Sequence, residues 1–217
     1  ISFDWVTQNL YWSEVDTAGL GASEGRIVVA KSDGRYKRTV VYKDLEMPSS
    51  IVVDPEHGLM FWADAGAKPK IEMSWMDGSK RRVIVSEKIE RPEGLAIDFS
   101  MGHTIYWVDS KLNTINSMTE DGERRFVVAR GTMLNRPISI DVFESMMFWA
   151  SAGLGDKGPA MMQMDKFGRG VPQTLSAELP HTGSVKVFHP SRYNTSLSNP
   201  CEKTQCTHLC LLIPTGY

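Results

Sequence analysis

Four aspartates close four short apolar runs: Asp4 after Ile1-Ser2-Phe3, Asp54 after Ile51-Val52-Val53, Asp98 after Leu95-Ala96-Ile97, and Asp141 after Ile138-Ser139-Ile140. Carboxylates that recur at one place in a repeat could converge on a channel mouth and hold a metal for hydrolysis. There is no paired-histidine motif and no acidic loop of the D-x-D-x-D type, so no bound metal is expected in this segment. The other candidates for chemistry are histidine and cysteine. His57, His103, His181, His189 and His208 are the side chains that titrate nearest neutral pH. Residues 1–200 contain no cysteine, and Cys201, Cys206 and Cys210 then fall within ten residues. So abrupt a change places a module boundary near Ser198-Asn199-Pro200, and the odd count points to a disulfide partner off this chain. The triplet Asn194-Thr195-Ser196 just before it is an N-glycosylation acceptor. Together these favour an extracellular or lumenal setting.

The elements that carry these residues repeat. Leu10-Tyr11-Trp12-Ser13-Glu14 returns as Met60-Phe61-Trp62-Ala63-Asp64, Ile105-Tyr106-Trp107-Val108-Asp109 and Met147-Phe148-Trp149-Ala150-Ser151, with tryptophans 50, 45 and 42 residues apart. A period near 45 marks a repeat architecture. Pro48, Pro92 and Pro137 precede three of the apolar runs, where a residue without an N–H suits the start of a strand. Each box leads to another alternating run, then to Asp33-Gly34, Asp77-Gly78, Asp121-Gly122 or Phe167-Gly168, and then to a last run. Asp-Gly between alternating runs signals a hairpin. Each unit therefore holds an inner, a second, a third and an outer strand, and no stretch has a sustained helical period. Four-stranded units repeated in this way describe an all-β propeller.

Of the 217 residues, 41% are hydrophobic and the net charge is −2, which suits one large all-β domain and gives no field for nucleic acid or an anionic membrane. Basic clusters follow the hairpin turns: Arg35, Lys37 and Arg38; Lys80, Arg81 and Arg82; Arg124 and Arg125. They read either as a rim for acidic partners or as solvated outer strands whose charge discourages edge pairing. No apolar run is long enough for a membrane helix, and no direct membrane contact is expected.

The boxes Tyr11-Trp12-Ser13-Glu14, Phe61-Trp62-Ala63-Asp64, Tyr106-Trp107-Val108-Asp109 and Phe148-Trp149-Ala150-Ser151 resemble the YWTD repeat of the low-density-lipoprotein receptor family, in the manner of its giant multi-ligand receptors. Val185-Lys186-Val187-Phe188-His189-Pro190 resembles the closing strand of such a propeller, and Asn199-Pro200-Cys201 through Cys206-Thr207-His208-Leu209-Cys210-Leu211 the opening of an EGF-like module. The resemblance implies a six-bladed propeller. About four blades are present here, at residues 1–47, 48–91, 92–136 and 137–179, with a closing inner strand at 184–188, a linker at 191–200 and a truncated EGF-like segment at 201–217. The missing blades, roughly 80 residues at this period, are expected upstream in the parent protein. The resemblance also implies that Cys201 pairs with Cys210, and Cys206 with a cysteine beyond Tyr217.

Trp12, Trp62, Trp107 and Trp149 are expected to wedge between adjacent blades, each burying ~150–250 Å². The box acid of the family bonds to backbone of the neighbouring blade. Glu14 is longer than aspartate and Ser151 carries no charge, so the fourth seam is expected to be weaker. Ligands are expected on the face formed by second-to-third loops and by the connectors between units. The candidates there are Glu46, Glu90, Arg91, Glu93, Asn135 and Arg136, with two long glycine-rich loops, Val15 to Gly25 and Ala152 to Ala160. The direction of the chain places the four aspartates away from that face, as a repeated structural element.

The function implied is that of a non-catalytic module of an endocytic cell-surface receptor. It would bind secreted protein ligands or other modules of the same receptor in the extracellular or endosomal-lumenal space. No cofactor is expected in the segment; calcium belongs, if anywhere, to neighbouring receptor modules. The histidines are candidates for a switch that aids ligand release in acid. The alternatives are a matrix or signalling co-receptor propeller that binds a secreted protein, and, more remotely, a metal-dependent six-bladed hydrolase.

Overall fold

The computed structural model describes residues 1–16, 24–177, 179–203 and 206–217. It resolves into two compact units, Ile1–Ser86 with Tyr193–Tyr217, and Glu87–Arg192.

The first unit holds two antiparallel sheets. Sheet 1 is β1 (Ser2–Asp4), β2 (Asn9–Asp16), β3 (Glu24–Lys31) and β4 (Arg38–Val41); sheet 2 is β5 (Pro48–Asp54), β6 (Leu59–Asp64), β7 (Lys70–Trp75) and β8 (Arg82–Val85). Strands pair in chain order, as tight turns require. Tyr11 and Trp12 point to opposite faces of β2 because side chains alternate along a strand. Tyr11 enters the core shared with sheet 2, beside Ile27, Val29, Met60, Met76 and the fully buried Trp62. Its hydroxyl donates to the Met76 carbonyl at 3.2 Å, and burial holds its pKa well above that of a free phenol. Trp12 is only half-buried. Sheet 2 covers the Tyr11 face, so Trp12 faces away from it, under the Lys37 ammonium at 5.3 Å.

The second unit repeats the plan. Sheet 3 is β9 (Pro92–Asp98), β10 (Thr104–Asp109), β11 (Thr114–Met118) and β12 (Arg125–Arg130); sheet 4 is β13 (Pro137–Phe143), β14 (Met146–Ser151), β15 (Ala160–Asp165) and β16 (Gln173–Ser176). Tyr106 and Trp149 share its core with Val108, Leu134, Ile140 and Met147. The Tyr106 hydroxyl donates to the Lys166 carbonyl, with its pKa pushed up to about 12, first by burial and then by Asp98. Trp62, Trp107 and Trp149 have no exposed surface.

Two local features recur. Where a proline opens the inner strand, the ladder skips the next residue: Ser49 in β5, Glu93 in β9 and Ile138 in β13 stand outside the pairing. Proline offers no N–H there, and the resulting bulge re-aims the skipped side chain. The hairpin glycines also answer to more than their turns. A Cβ on Gly78 would lie 2.3 Å from the Val40 carbonyl oxygen of β4, and one on Gly168 would lie 2.2 Å from that of Val128 in β12. Each hairpin rests on the outer strand of the sheet before it.

Residues 184–188 do not form the strand expected of them. Without a ladder partner they are held beside β13 by side chains: the Val185 N–H donates to Ser139 Oγ and the Val187 N–H to Asp141 Oδ2. The segment 193–217 packs into the first unit. A stretch this short cannot build its own core, and Leu209, Leu211 and Leu212 join the core of sheets 1 and 2. Asn9 Nδ2 donates to the Cys210 carbonyl at 2.9 Å. Gly58, at φ 67°, lies so close to the Ile213 backbone that a Cβ would come within 2.4 Å of its carbonyl carbon. Gly58→Ala is expected to cost more than about 1 kcal/mol, from strain at positive φ together with the clash. Limited proteolysis should then cut in 209–217, and thermal melting should show the loss.

Candidate functional site

Where it is aspartate, the box acid fixes the connector that enters its sheet. Asp64 accepts from the N–H groups of Glu46 (3.1 Å) and Met47 (2.7 Å), and from Gly66 in the loop leaving β6 (3.1 Å). Asp109 accepts from Glu90 (2.7 Å) and Arg91 (3.0 Å) on one side, and from Lys111 and Leu112 on the other. Each carboxylate thus ties the connector entering its sheet to the loop leaving it.

In the fourth copy Ser151 is too short for this. Asn135 donates to Ser151 Oγ at 3.1 Å and to the Gly158 carbonyl at 3.0 Å, and Ser151 donates to the Ala160 carbonyl. Asn135 is buried, so it is a structural pin and not a ligand-face side chain, a correction that follows from the missing carboxylate. In the first copy Glu14 turns to its own sheet, accepting from Trp12 Nε1, Arg26 and Lys37. Those hydrogen bonds, Lys37 foremost, lower its pKa from 4.5 to about 2.

The remaining ligand-face candidates separate. Glu46, in the first unit, accepts from the Ala67 N–H at 2.6 Å, which caps the loop after β6. In the second unit Arg91 pairs with Glu93 at 2.6 Å and Lys111 with Glu90 at 2.7 Å. Arg91, Glu93, Ser110, Lys111, Arg136 and Ile138 line a cavity of about 270 Å³. Lys111 and Ile138 escaped the sequence reading, although the proline that creates the bulge at Ile138 was legible. Most of the Val15–Gly25 loop lies outside the described residues; in Ala152–Ala160, Leu154 and Lys157 close a short bridge.

One residue of each basic cluster does something a rim would not. Arg81 lies 5.5 Å over the Trp62 ring, donates twice to Glu72 and reaches the carbonyls of Lys43 and Asp44 in the connector between sheets 1 and 2. Arg125 lies 4.9 Å over Trp107 and donates to the carbonyls of Glu87 and Lys88. Lys37 likewise lies over Trp12, at 5.3 Å, but donates to the Glu14 carboxylate. The signal was the constant offset from the hairpin aspartate, Asp33 to Lys37, Asp77 to Arg81 and Asp121 to Arg125; the fourth copy has Val171 there.

The inner-strand aspartates are all buried. Asp4 accepts from Val6 and Thr7, and burial raises its pKa against those bonds. Asp54 bonds the amide of Glu56 and lies 3.3 Å from His57 Nδ1. Asp98 pairs with the buried Lys166 at 2.6 Å, and Asp141 with Arg192. His57 is half-exposed; His103 is buried, edge-on to Phe99; His181 is exposed; His189 is exposed against Phe143; and His208 is exposed, edge-on to Tyr36 at 4.9 Å. Cys201 and Cys210 form a disulfide, while Cys206 and Asn194 are exposed.

Residues 58–99 match the family model described as low-density lipoprotein receptor repeat class B. Over 98% of its length the chain is 35% identical to the vitellogenin receptor Yl of Drosophila melanogaster and 31% identical to the vitellogenin receptor of Solenopsis invicta. The chain carries the YWTD repeats of the low-density lipoprotein receptor family. It spans about a tenth of the length of these relatives, 10% and 11%. Among solved structures it is similar to a chain of the nidogen/laminin complex, with a TM-score of 0.60, 24% identity, and 76% of this chain and 74% of that one covered. It also resembles a gluconolactonase from Xanthomonas campestris, with a TM-score of 0.59, 16% identity, and coverage of 78% and 63%. At these identities both likenesses speak for the fold alone.

Two measurements check the pins. Lys166→Met leaves Asp98 as an uncompensated buried charge and should cost about 3–5 kcal/mol in denaturant unfolding. Adding Asp98→Asn should recover much of that loss, so the two changes will be strongly non-additive. Glu14, with its folded pKa depressed, adds stability that is complete above pH 4.5 and is lost as pH falls toward about 2. Glu14→Gln should therefore flatten the acid limb of stability in that window and leave its slope near neutrality unchanged.

Proposed function

We propose that the chain is a non-catalytic propeller module of an endocytic receptor, holding protein ligands or neighbouring receptor modules on its connector face. The observation that carries this is the match, over 98% of this chain, to two proteins named vitellogenin receptors. The use of the side chains supports it. The repeated acids that could have served a hydrolase are committed to backbone amides and buried cations, and the ion pairs on the connector face suit a protein partner. A yolk protein of the vitellogenin type is the first ligand to test.

The same reading gives the exposed faces a purpose. The half-buried Trp12 and Gly34, with no atom near its Cβ position, mark the side of sheet 1 that a further blade of the parent would cover. The disulfide and the exposed Cys206 fit the start of an EGF-like module whose next cysteine lies beyond Tyr217. Asn194 is exposed and open to a glycan in the extracellular or endosomal space.

Acid would act through histidine. His208, held on Tyr36, and His189, held on Phe143, lie where the tail and the segment after β16 meet their sheets. The test uses the parent ectodomain with bound vitellogenin, its dissociation followed at neutral pH and below about pH 6. Changing His57, His103, His181, His189 and His208 to glutamine should slow release in acid about tenfold while leaving neutral binding unchanged. If acid release persists at the wild-type rate, the histidines are not the switch.

A further inference from the structure

We propose that the cavity between sheets 3 and 4 is a receptor for one carboxylate side chain of a protein ligand, with Arg136 as the residue that grips it. The proposal rests on the connector face being the ligand side and names what that face selects.

The cavity is assembled from irregular backbone. Two bulged residues, Glu93 and Ile138, form part of its wall, and the residues preceding two prolines, Arg91 and Arg136, form another part. Asn135 and Arg136 adopt φ of 57° and 60°, two successive left-handed residues without a glycine. Such a conformation persists only where its surroundings over-determine it. They do so here. The Arg136 N–H donates to Asn113 Oδ1 at 3.0 Å, its carbonyl accepts from Ala152 at 2.9 Å, and the Asn135 carbonyl accepts from Gly153 at 3.2 Å. With its backbone fixed at both ends, Arg136 presents its side chain at the cavity rim.

The charges around the rim are matched except for one. Arg91 is paired with Glu93 and Lys111 with Glu90, and Asp109, beneath them, is turned toward four backbone amides. Arg136 has no ion-pair partner among the described residues. A guanidinium offers a planar fork that matches a carboxylate in two hydrogen bonds. Ile138 gives an apolar wall for the methylenes of an aspartate or glutamate. The volume, about 270 Å³, lies at the low end of ligand sites and suits a side chain or two. A single unmatched cation is poor recognition for a sulfated polysaccharide or any other polyanion, which needs many. The ligand it fits is a peptide segment with one well-placed acid.

The experiment selects a displayed library of short random peptides on the parent ectodomain and retests the survivors on variants. Ile138→Trp fills the cavity and identifies the peptides that occupy it. These should share an aspartate or glutamate, and changing it to the amide should weaken binding about tenfold or more. Arg136→Gln should produce the same loss, and Arg136→Lys a smaller one, because the charge is kept without the fork. Arg82→Gln, on β8 of the first unit, should change nothing. Thermal melting of each variant separates loss of the site from loss of the fold. Peptides that respond to Ile138→Trp but share no acid, or ignore Arg136→Gln, overturn the carboxylate and leave the face intact. Peptides that all ignore Ile138→Trp overturn the face as well. Heparin fragments that bind through Arg136 when no acidic peptide is selected would assign the site to sulfated glycans and end the proposal.

Discussion

The interaction on which the rest depends is the burial of two aromatic rings that leave one strand in opposite directions. In each unit the indole of the later sheet and the tyrosine ring of the earlier one meet in a single core: Trp62 with Tyr11, and Trp149 with Tyr106. Removing a buried indole costs about 3–5 kcal/mol, against about 1 kcal/mol for one neutral hydrogen bond. That ratio explains which parts of the box vary within the chain. Tryptophan appears in all four copies, whereas the acid beside it is Glu14, Asp64, Asp109 or Ser151. The polar partner can be exchanged because something else can take its place; a hole the size of an indole cannot be filled from nearby.

The exchanges show what the acid is for. Where it is aspartate it ties a connector to a loop through several backbone amides. Where it is serine, a buried asparagine from the connector crosses to the same place, at the cost of a left-handed backbone. Where it is glutamate the carboxylate draws in Trp12 Nε1, Arg26 and Lys37. The basic residue behind the indole is a second tie of the same kind. Arg81 and Arg125 hold the outer ends of the connectors while the box acids hold the inner ends.

Most of the architecture was legible because it repeats. Period, hairpin glycines, strand-opening prolines and the two-sided aromatic pair each follow from local chemistry, and four copies remove the ambiguity of any one. The tail was not legible in the same way. That Leu212 would enter the core of sheets 1 and 2, or that residues 184–188 would lie beside β13 without a ladder, depends on which partners are at hand in space. The site was half legible. Charged residues on the connectors were evident from chain direction, but the burial of Asn135 follows from an absent carboxylate sixteen residues later, and Lys111 and Ile138 join the cavity only through register. The basic clusters misled because a charge count does not reveal that one member of each lies over a ring.

These observations meet on the connector face. A connector must keep its backbone polar groups satisfied, or it would cost more than it contributes. Here the N–H and the carbonyl of both Arg91 and Arg136 are bonded to a box acid, an asparagine or the loop opposite. Because the backbone is served in this way, the side chains of those residues have no structural duty. Asn135 shows the converse: recruited to replace a missing acid, it is withdrawn from the surface. The division between pins and free side chains on this face is therefore set by the box. Around the cavity of the second unit the remainder is two mutually satisfied ion pairs and one arginine with no ion-pair partner among the described residues.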